Sequence, residues 1–294
     1  MYNMRSLRGD NMEILEYLIT DKTDILLLSN KNISNEQKQE ILGFSSCLCN
    51  HYKNYIYENN GNIYYFKDKC KILEFPFSLV DELIGSYLCH YLDLETVKYS
   101  IATNKYRYGL ASPNFRNRSN DYYFLNDFTH DEGINNYKYK LNILKNLCID
   151  EKNYQELLKN IINLIVLDIY MIQRDRCNIN LQFKVNKKTK YLSFAPIYDF
   201  SNCSDKIKTN MEITNPFLRI NENNIIKFLK DSKYFKERLS YILEYDMAKI
   251  WEQICIDYNL NQECFIYDKI KEYYKNKDTN QKKYLKQLIK DVHM

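Results

Sequence analysis

Apolar residues are densest between Leu157 and Ile169, where Leu157-Leu158, Ile161-Ile162 and Leu164-Ile165-Val166-Leu167 leave few polar positions. A surface helix carries a narrower stripe, so this pattern predicts a helix buried on most faces. It gives way to Gln173-Arg174-Asp175-Arg176-Cys177-Asn178-Ile179-Asn180, then to an alternating run from Leu181 to Val185. The polar Asn186-Lys187-Lys188-Thr189 and a second apolar run, Tyr191 to Phe194, complete a predicted hairpin closed by Pro196. Upstream, Tyr55-Ile56-Tyr57 and Ile63-Tyr64-Tyr65-Phe66 flank Asn60-Gly61, a strong hairpin signal. A helix is predicted from Ser78, with Leu79, Val80, Leu83, Ile84, Tyr87, Leu88 and Leu92 on a broad apolar face. Val97 to Thr103 alternates as a strand, residues 116–135 read as a loop, and helical patterning begins near Asn136 and resumes from Asn224 to the end. The first 40 residues are least legible: Met12 to Ile19 fits a short helix and Asp24 to Leu28 a buried strand.

Composition narrows the class. A hydrophobic content of 45% and charged content of 27% over 294 residues fit a folded chain with a sizeable core. All six glycines lie at or before Gly133, which predicts a mostly helical C-terminal half. The net charge of +4 is small and its acids and bases are interspersed, so no strong nucleic-acid signal arises. Nine cysteines without framework spacing point to reduced thiols and a cytoplasmic setting. No Sec-type leader pattern opens the chain and no apolar run reaches membrane-spanning length, which leaves delivery to a host cell by another route open. Cys47-Leu48-Cys49-Asn50-His51 is at most half a zinc site and reads better as ordinary loop or strand.

The chemistry concentrates downstream of the buried helix. Asp175, Asn180 and Asp199 follow the order of a phosphoryl-transfer loop and its metal-binding segment, with a hairpin that folds the last back toward the first. Such a reaction needs a carboxylate to align a hydroxyl and take its proton. It also needs hard oxygen ligands for Mg²⁺, which an Asn carbonyl and a second carboxylate supply. Upstream, Lys67 ends a strand and Glu82 opens a helix, the arrangement in which a Lys contacts nucleotide phosphates and a Glu holds that Lys. Strand-terminal lysines and first-turn glutamates also occur as plain surface and capping residues. Gly43-Phe44-Ser45-Ser46 is a candidate phosphate-covering loop, although a simple turn fits it equally. Asp168, one helical turn before the loop, is placed to orient it by hydrogen bonding.

Leu167 to Asn180, with Ala195-Pro196-Ile197-Tyr198-Asp199-Phe200 after it, resembles the core of the HipA-like kinases, the small CtkA-like bacterial members above all. Cys177 stands where that family usually has His. Gly109-Leu110-Ala111-Ser112-Pro113-Asn114-Phe115 is similar to the family's G-x-x-S-x-x-F segment. The resemblance implies an α+β, two-lobed protein-kinase-like fold, with a small β-rich lobe over residues 1–115 and a mostly helical lobe over 116–294. It implies Asp175 as the catalytic residue, Asn180 and Asp199 as metal ligands, and Lys67 with Glu82 at the phosphates. Ser45 or Ser46 would be an autophosphorylated serine. ATP and Mg²⁺ are the implied cofactors, a protein Ser/Thr hydroxyl the acceptor, and an antitoxin-like protein one kind of partner. Two alternatives remain open at the level of sequence. Type II phosphatidylinositol 4-kinases share a similar D-R-x-x-x-N core, which would make a lipid or small molecule the acceptor, and a degenerate kinase fold that only binds a partner is the other.

Overall fold

The computed structural model describes residues 26–27, 55–59, 62–68, 78–104, 107–129, 137–174, 176, 178–200, 203, 213–220, 222–258 and 265–292. The chain divides into two compact units, Met1–Leu79 with Lys98–Asn114, and Val80–Val97 with Phe115–Met294. Sequence alone placed the boundary near residue 115. Val80–Val97 belongs to the helical unit, and the first helix buries Val80, Leu83, Ile84 and Leu88.

The first unit is built on a five-stranded antiparallel sheet in the order β1-β4-β5-β3-β2. Its strands are β1 (Leu26–Leu27), β2 (Tyr55–Asn59), β3 (Asn62–Asp68), β4 (Ser100–Asn104) and β5 (Arg107–Pro113). The register runs from Tyr55↔Phe66 to Asn59↔Asn62, the two-residue connection that an Asn-Gly pair predicts. β3 then lies against β5 with Lys67 opposite Leu110, and Leu110 and Ala111 are fully buried.

In the second unit, α1 (Ser78–Tyr91) starts at the predicted residue and buries Val80, Leu83, Ile84 and Leu88 completely. It is followed by β6 (Asn120–Phe124), α2 (Leu125–Thr129), α3 (Tyr137–Leu147) and α4 (Glu151–Met171). A 3-10 turn (Asn178–Asn180), β7 (Gln182–Asn186) and β8 (Leu192–Phe194) come next. The remainder is β9 (Ile213–Asn215), β10 (Leu218–Ile220), α5 (Glu222–Asp231), α6 (Lys233–Ile242), α7 (Met247–Asp257) and α8 (Phe265–Asp291). β6, β7 and β8 form an antiparallel sheet, and β9 and β10 form a separate hairpin.

Two features depart from the sequence pattern. Residues 120–129, expected as loop, form β6 and α2, because Tyr123 pairs opposite Phe183 and Phe128 packs its ring 5.7 Å from the same residue. All five β6 residues are half-exposed, so no alternation marked the strand in advance. The glycine-free C-terminal half also contains an unpredicted hairpin that turns at Pro216-Phe217, whereas the predicted one is held by Asn186, whose Oδ1 accepts from the amides of Lys188 and Thr189.

α4 is the hub. Asp150 caps it by accepting from the Asn153 amide at 2.7 Å, and every residue from Ile161 to Gln173 is buried. Its buried polar side chains each tie down another element. Asn153 exchanges hydrogen bonds with the Leu192 backbone, and Asn163 donates to the Leu92 carbonyl while accepting from Tyr234 and Arg238. Tyr170 donates to Asp278 on α8 and to the Tyr245 carbonyl. Burying these groups is tolerable because each is bonded. Among the described residues, no helix is long and apolar enough to cross a membrane.

α1 and α8 are joined by a buried ion pair. Asp81 Oδ1 accepts from Tyr274 Oη at 2.9 Å and from Lys277 Nζ at 3.3 Å, with both charged side chains fully buried. Burial lifts the Asp81 carboxyl from 3.8 to about 6, against the pull of Lys277 and Tyr274. The protonated form is therefore favoured in the fold, and this group contributes stability at low pH that is lost as the pH rises through about 6. Lys277→Met leaves Asp81 without its cation and should cost about 3–5 kcal/mol at pH 8. The deficit should shrink clearly at pH 5, where the carboxyl takes up a proton. Urea denaturation at the two pH values measures this, and equal deficits would count against it.

Gly85 faces a second close contact, since a Cβ there would lie 2.3 Å from Cγ of Phe200, a fully buried ring. Gly85→Ala gains about 1 kcal/mol of helix propensity but overpacks the ring at about 1–3 kcal/mol. With three ring atoms inside 2.8 Å the overpacking dominates, so thermal denaturation should show a lower Tm.

Candidate active site

The local chain path starts at the end of α4. Ile172 adopts a left-handed backbone (φ 58°, ψ 49°), and the Gln173 amide bonds back to the Asp168 carbonyl at 2.9 Å, which stops the helix within one residue. A β-branched residue is costly there, so packing must hold it, and Ile172 is fully buried. The turn directs Arg176 back under the helix. Its Nε lies 2.7 and 2.9 Å from the two Asp168 oxygens, both side chains are fully buried, and Asn215 Nδ2 donates to Asp168 Oδ2 at 2.7 Å. Burial pushes the Asp168 carboxyl up, and Arg176 and Asn215 pull against it. The expected orienting role of Asp168 thus has a geometry: it holds Arg176, the residue next to Asp175.

Arg176 also reaches forward. Nη1 donates to the Tyr198 carbonyl at 3.0 Å, and the guanidinium lies 5.0 Å from the Phe200 ring centre. Residues 197–200 are pinned one by one. The Ile197 amide bonds the Glu95 carbonyl, and its own carbonyl accepts from Val97 N and Thr96 Oγ1. Tyr198 is held by Arg176, with its hydroxyl accepting from Gln182 Nε2 at 2.8 Å. The Asp199 carbonyl accepts from Gln173 Nε2 at 2.8 Å, and the Phe200 amide donates to Glu82 Oε2 at 3.0 Å.

Asp199 itself has φ 66°, a left-handed conformation that Asp tolerates better than most residues. Its Oδ2 accepts from Asn180 Nδ2 at 2.8 Å, across 19 residues of sequence. Both side chains are half-buried. A carboxylate and an amide side by side present the hard oxygen chemistry that Mg²⁺ takes, with waters and phosphate oxygens completing its shell. A half-turn of the amide exchanges Nδ2 for Oδ1 and would aim two oxygens at one ion. Among the described residues, no three or more His, Cys, Asp or Glu form a group that could hold a metal.

The sequence-predicted residues fall as follows. Asn180 and Asp199 are in direct contact, and Glu82 sits on α1 with its carboxylate on the amide that follows Asp199. Lys67 lies in β3 of the other unit, with its side chain outside the described residues. Asp175, Cys177, Ser45 and Ser46 also lie outside the described residues, as do Cys47, Cys49 and His51. Sequence reasoning missed Gln173, Gly85 and Asn215. An isolated glycine within an apolar helix pattern, and an Asn-Pro pair at 215–216, were the available signals for two of them. Gln173 had none.

No family model matches the chain, and no match was found among curated proteins. Solved structures do match. The proinflammatory kinase CtkA of Helicobacter pylori is similar with a TM-score of 0.59 over 84% of this chain and 97% of its own, at 16% identity. HipA of Shewanella oneidensis MR-1, solved with HipB and operator DNA, is similar with a TM-score of 0.60 over 97% of this chain and 81% of its own, at 11% identity. At these identities the likeness is one of fold, and the chain has an α+β fold of the HipA- and CtkA-like kind.

Proposed function

We propose that the chain is an ATP- and Mg²⁺-dependent Ser/Thr protein kinase of the HipA-like type, transferring a phosphoryl group to a protein hydroxyl and to itself. The observation that carries the reading is the 2.8 Å contact between Asn180 and Asp199, in a fold similar to those of two kinases. Asn180 and Asp199 would hold the metal, which when bound neutralises charge on the phosphate oxygens. Asp175 aligns the acceptor hydroxyl and takes its proton on a carboxylate oxygen. Lys67 supplies positive charge to the phosphates. Glu82 fixes the backbone immediately after Asp199 through the Phe200 amide, so that the metal-binding carboxylate keeps one position. Ser45 and Ser46 are the proposed phosphate-loop serines. An antitoxin-like protein belongs to the same reading, because the HipA neighbour was solved with HipB.

Two measurements test the assignment. Saturating ATP with Mg²⁺ should raise the Tm of the wild-type protein, since ligand at 100 times Kd adds about 2.7 kcal/mol. Asp199→Ala should lose that Mg²⁺-dependent shift while keeping its unliganded far-UV spectrum. Mass spectrometry after incubation with ATP should find phosphorylated Ser or Thr in the wild type. Asp175→Asn and Asp199→Ala should each lower incorporation by about 10²-fold or more. Wild-type labelling in either variant would overturn the proposal.

A further inference from the structure

Lys140 on α3 is 1% exposed, yet among the described residues no carboxylate meets it. Its Nζ donates to two neutral acceptors, Asn178 Oδ1 at 3.1 Å and the Pro216 carbonyl at 2.7 Å. Desolvation without a counter-charge pulls the ammonium below its ordinary value. A buried unpaired cation is expensive, and a Met of similar length would fill the same space without that cost. The cation therefore has to do something that packing does not.

Its two acceptors show what. Asn178 opens the 3-10 turn that ends in Asn180, the partner of Asp199. Pro216 lies in the turn between β9 and β10. The neighbouring Asn215 belongs to the same hairpin. Its Oδ1 accepts from the Phe217 amide at 2.9 Å, and its Nδ2 donates to Asp168, the carboxylate that grips Arg176. One hairpin thus reaches the segment from Arg176 to Asn180 at two points, through Asp168 at Arg176 and through Lys140 at Asn178.

We propose that Lys140 and the β9–β10 hairpin form a clamp that sets the orientation of the Asn178–Asn180 turn, and that Lys140 and Asn215 are positioning residues for the metal-binding amide of Asn180. The cation draws the Asn178 side-chain oxygen Oδ1 toward the Pro216 turn and so fixes the rotation of the 3-10 turn about its axis. Asn180 is then presented to Asp199 rather than to solvent. The metal part of this inference rests on the kinase reading above, whereas the clamp itself rests on hydrogen bonds alone.

The test titrates MgCl₂ at fixed ATP, following thermal shift, on the wild type and on Lys140→Met, Lys140→Arg and Asn215→Ala. Hydrogen exchange is recorded on peptides covering residues 176–186 and 155–170. Loss of a group that orients a metal ligand typically costs 10–100-fold in metal affinity. Lys140→Met should accordingly need at least about tenfold more Mg²⁺ for half the shift. It should also exchange faster over 178–182, with α4 at wild-type rates, and Lys140→Arg should restore both. Asn215→Ala should move both readouts in the same direction and keeps the test decisive if Lys140→Met does not fold. An unchanged Mg²⁺ midpoint with faster exchange would make the clamp a fold device and overturn the positioning role. Unchanged exchange would overturn the clamp whatever the nucleotide does. A wild type with no Mg²⁺-dependent shift would instead overturn the kinase reading, and with it the link from clamp to metal.

Discussion

The ion pair between Asp168 and Arg176 is the constraint on which the helical unit's candidate site depends. Its net stabilisation is modest, because removing two charges from water consumes most of their attraction. Its consequence is geometric. An arginine keeps its proton at any ordinary pH, and its planar guanidinium fixes direction as well as distance. With Nε on both Asp168 oxygens, Nη1 on the Tyr198 carbonyl and the guanidinium plane near Phe200, the side chain joins the end of α4 to residues 198–200. Removing Arg176 alone would leave a buried carboxylate held by Asn215 as its remaining described partner. The segment carrying Asn180 and the segment carrying Asp199 are thus tied to one helix end before they touch each other.

Much of this was legible in the sequence, and the division follows from physics. Hydrophobic periodicity reports burial, so the start of α1, the buried body of α4 and both predicted hairpins could be read from it. Residue chemistry reports what a site can do, so Asn180 and Asp199 could be paired across a hairpin from their types and order. Hydrogen bonds between distant segments leave no such trace. Glu82 looks like any acid in a first helical turn, yet its partner is an amide 118 residues away. Gln173 resembles a polar residue after a helix, yet its amide carries Asp199 and accepts from Cys203. Lys140 falls in a helix of ordinary amphipathic pattern, and its burial comes from the turns that pack over it. β6 was missed for a related reason: pairing with β7 makes it a strand, and its own residues do not alternate.

Two of the four described non-glycine residues with positive φ fall in the same place, the others being Asp93 and Lys190. Ile172 and Asp199 have φ of 58° and 66°, and each such residue typically costs about 1–3 kcal/mol. Strain of this kind persists only where surroundings over-determine it. Ile172 is held by full burial and by the Gln173 amide returning to Asp168. Asp199 is held through its carbonyl by Gln173, through its carboxylate by Asn180 and through the next amide by Glu82. The two strained residues are linked to each other, since Gln173 follows the first and bonds the second. Relaxing either would move the other. A helix end and a carboxylate locked in this way lose little freedom when a ligand arrives. That is what a reaction governed by positioning requires, because a misplacement of about 1 Å can cost 10²-fold in rate. A partner-binding surface has no comparable need for a strained aspartate beside a half-buried amide, and it is this excess of constraint around Asp199 that favours a catalytic reading over a purely structural one.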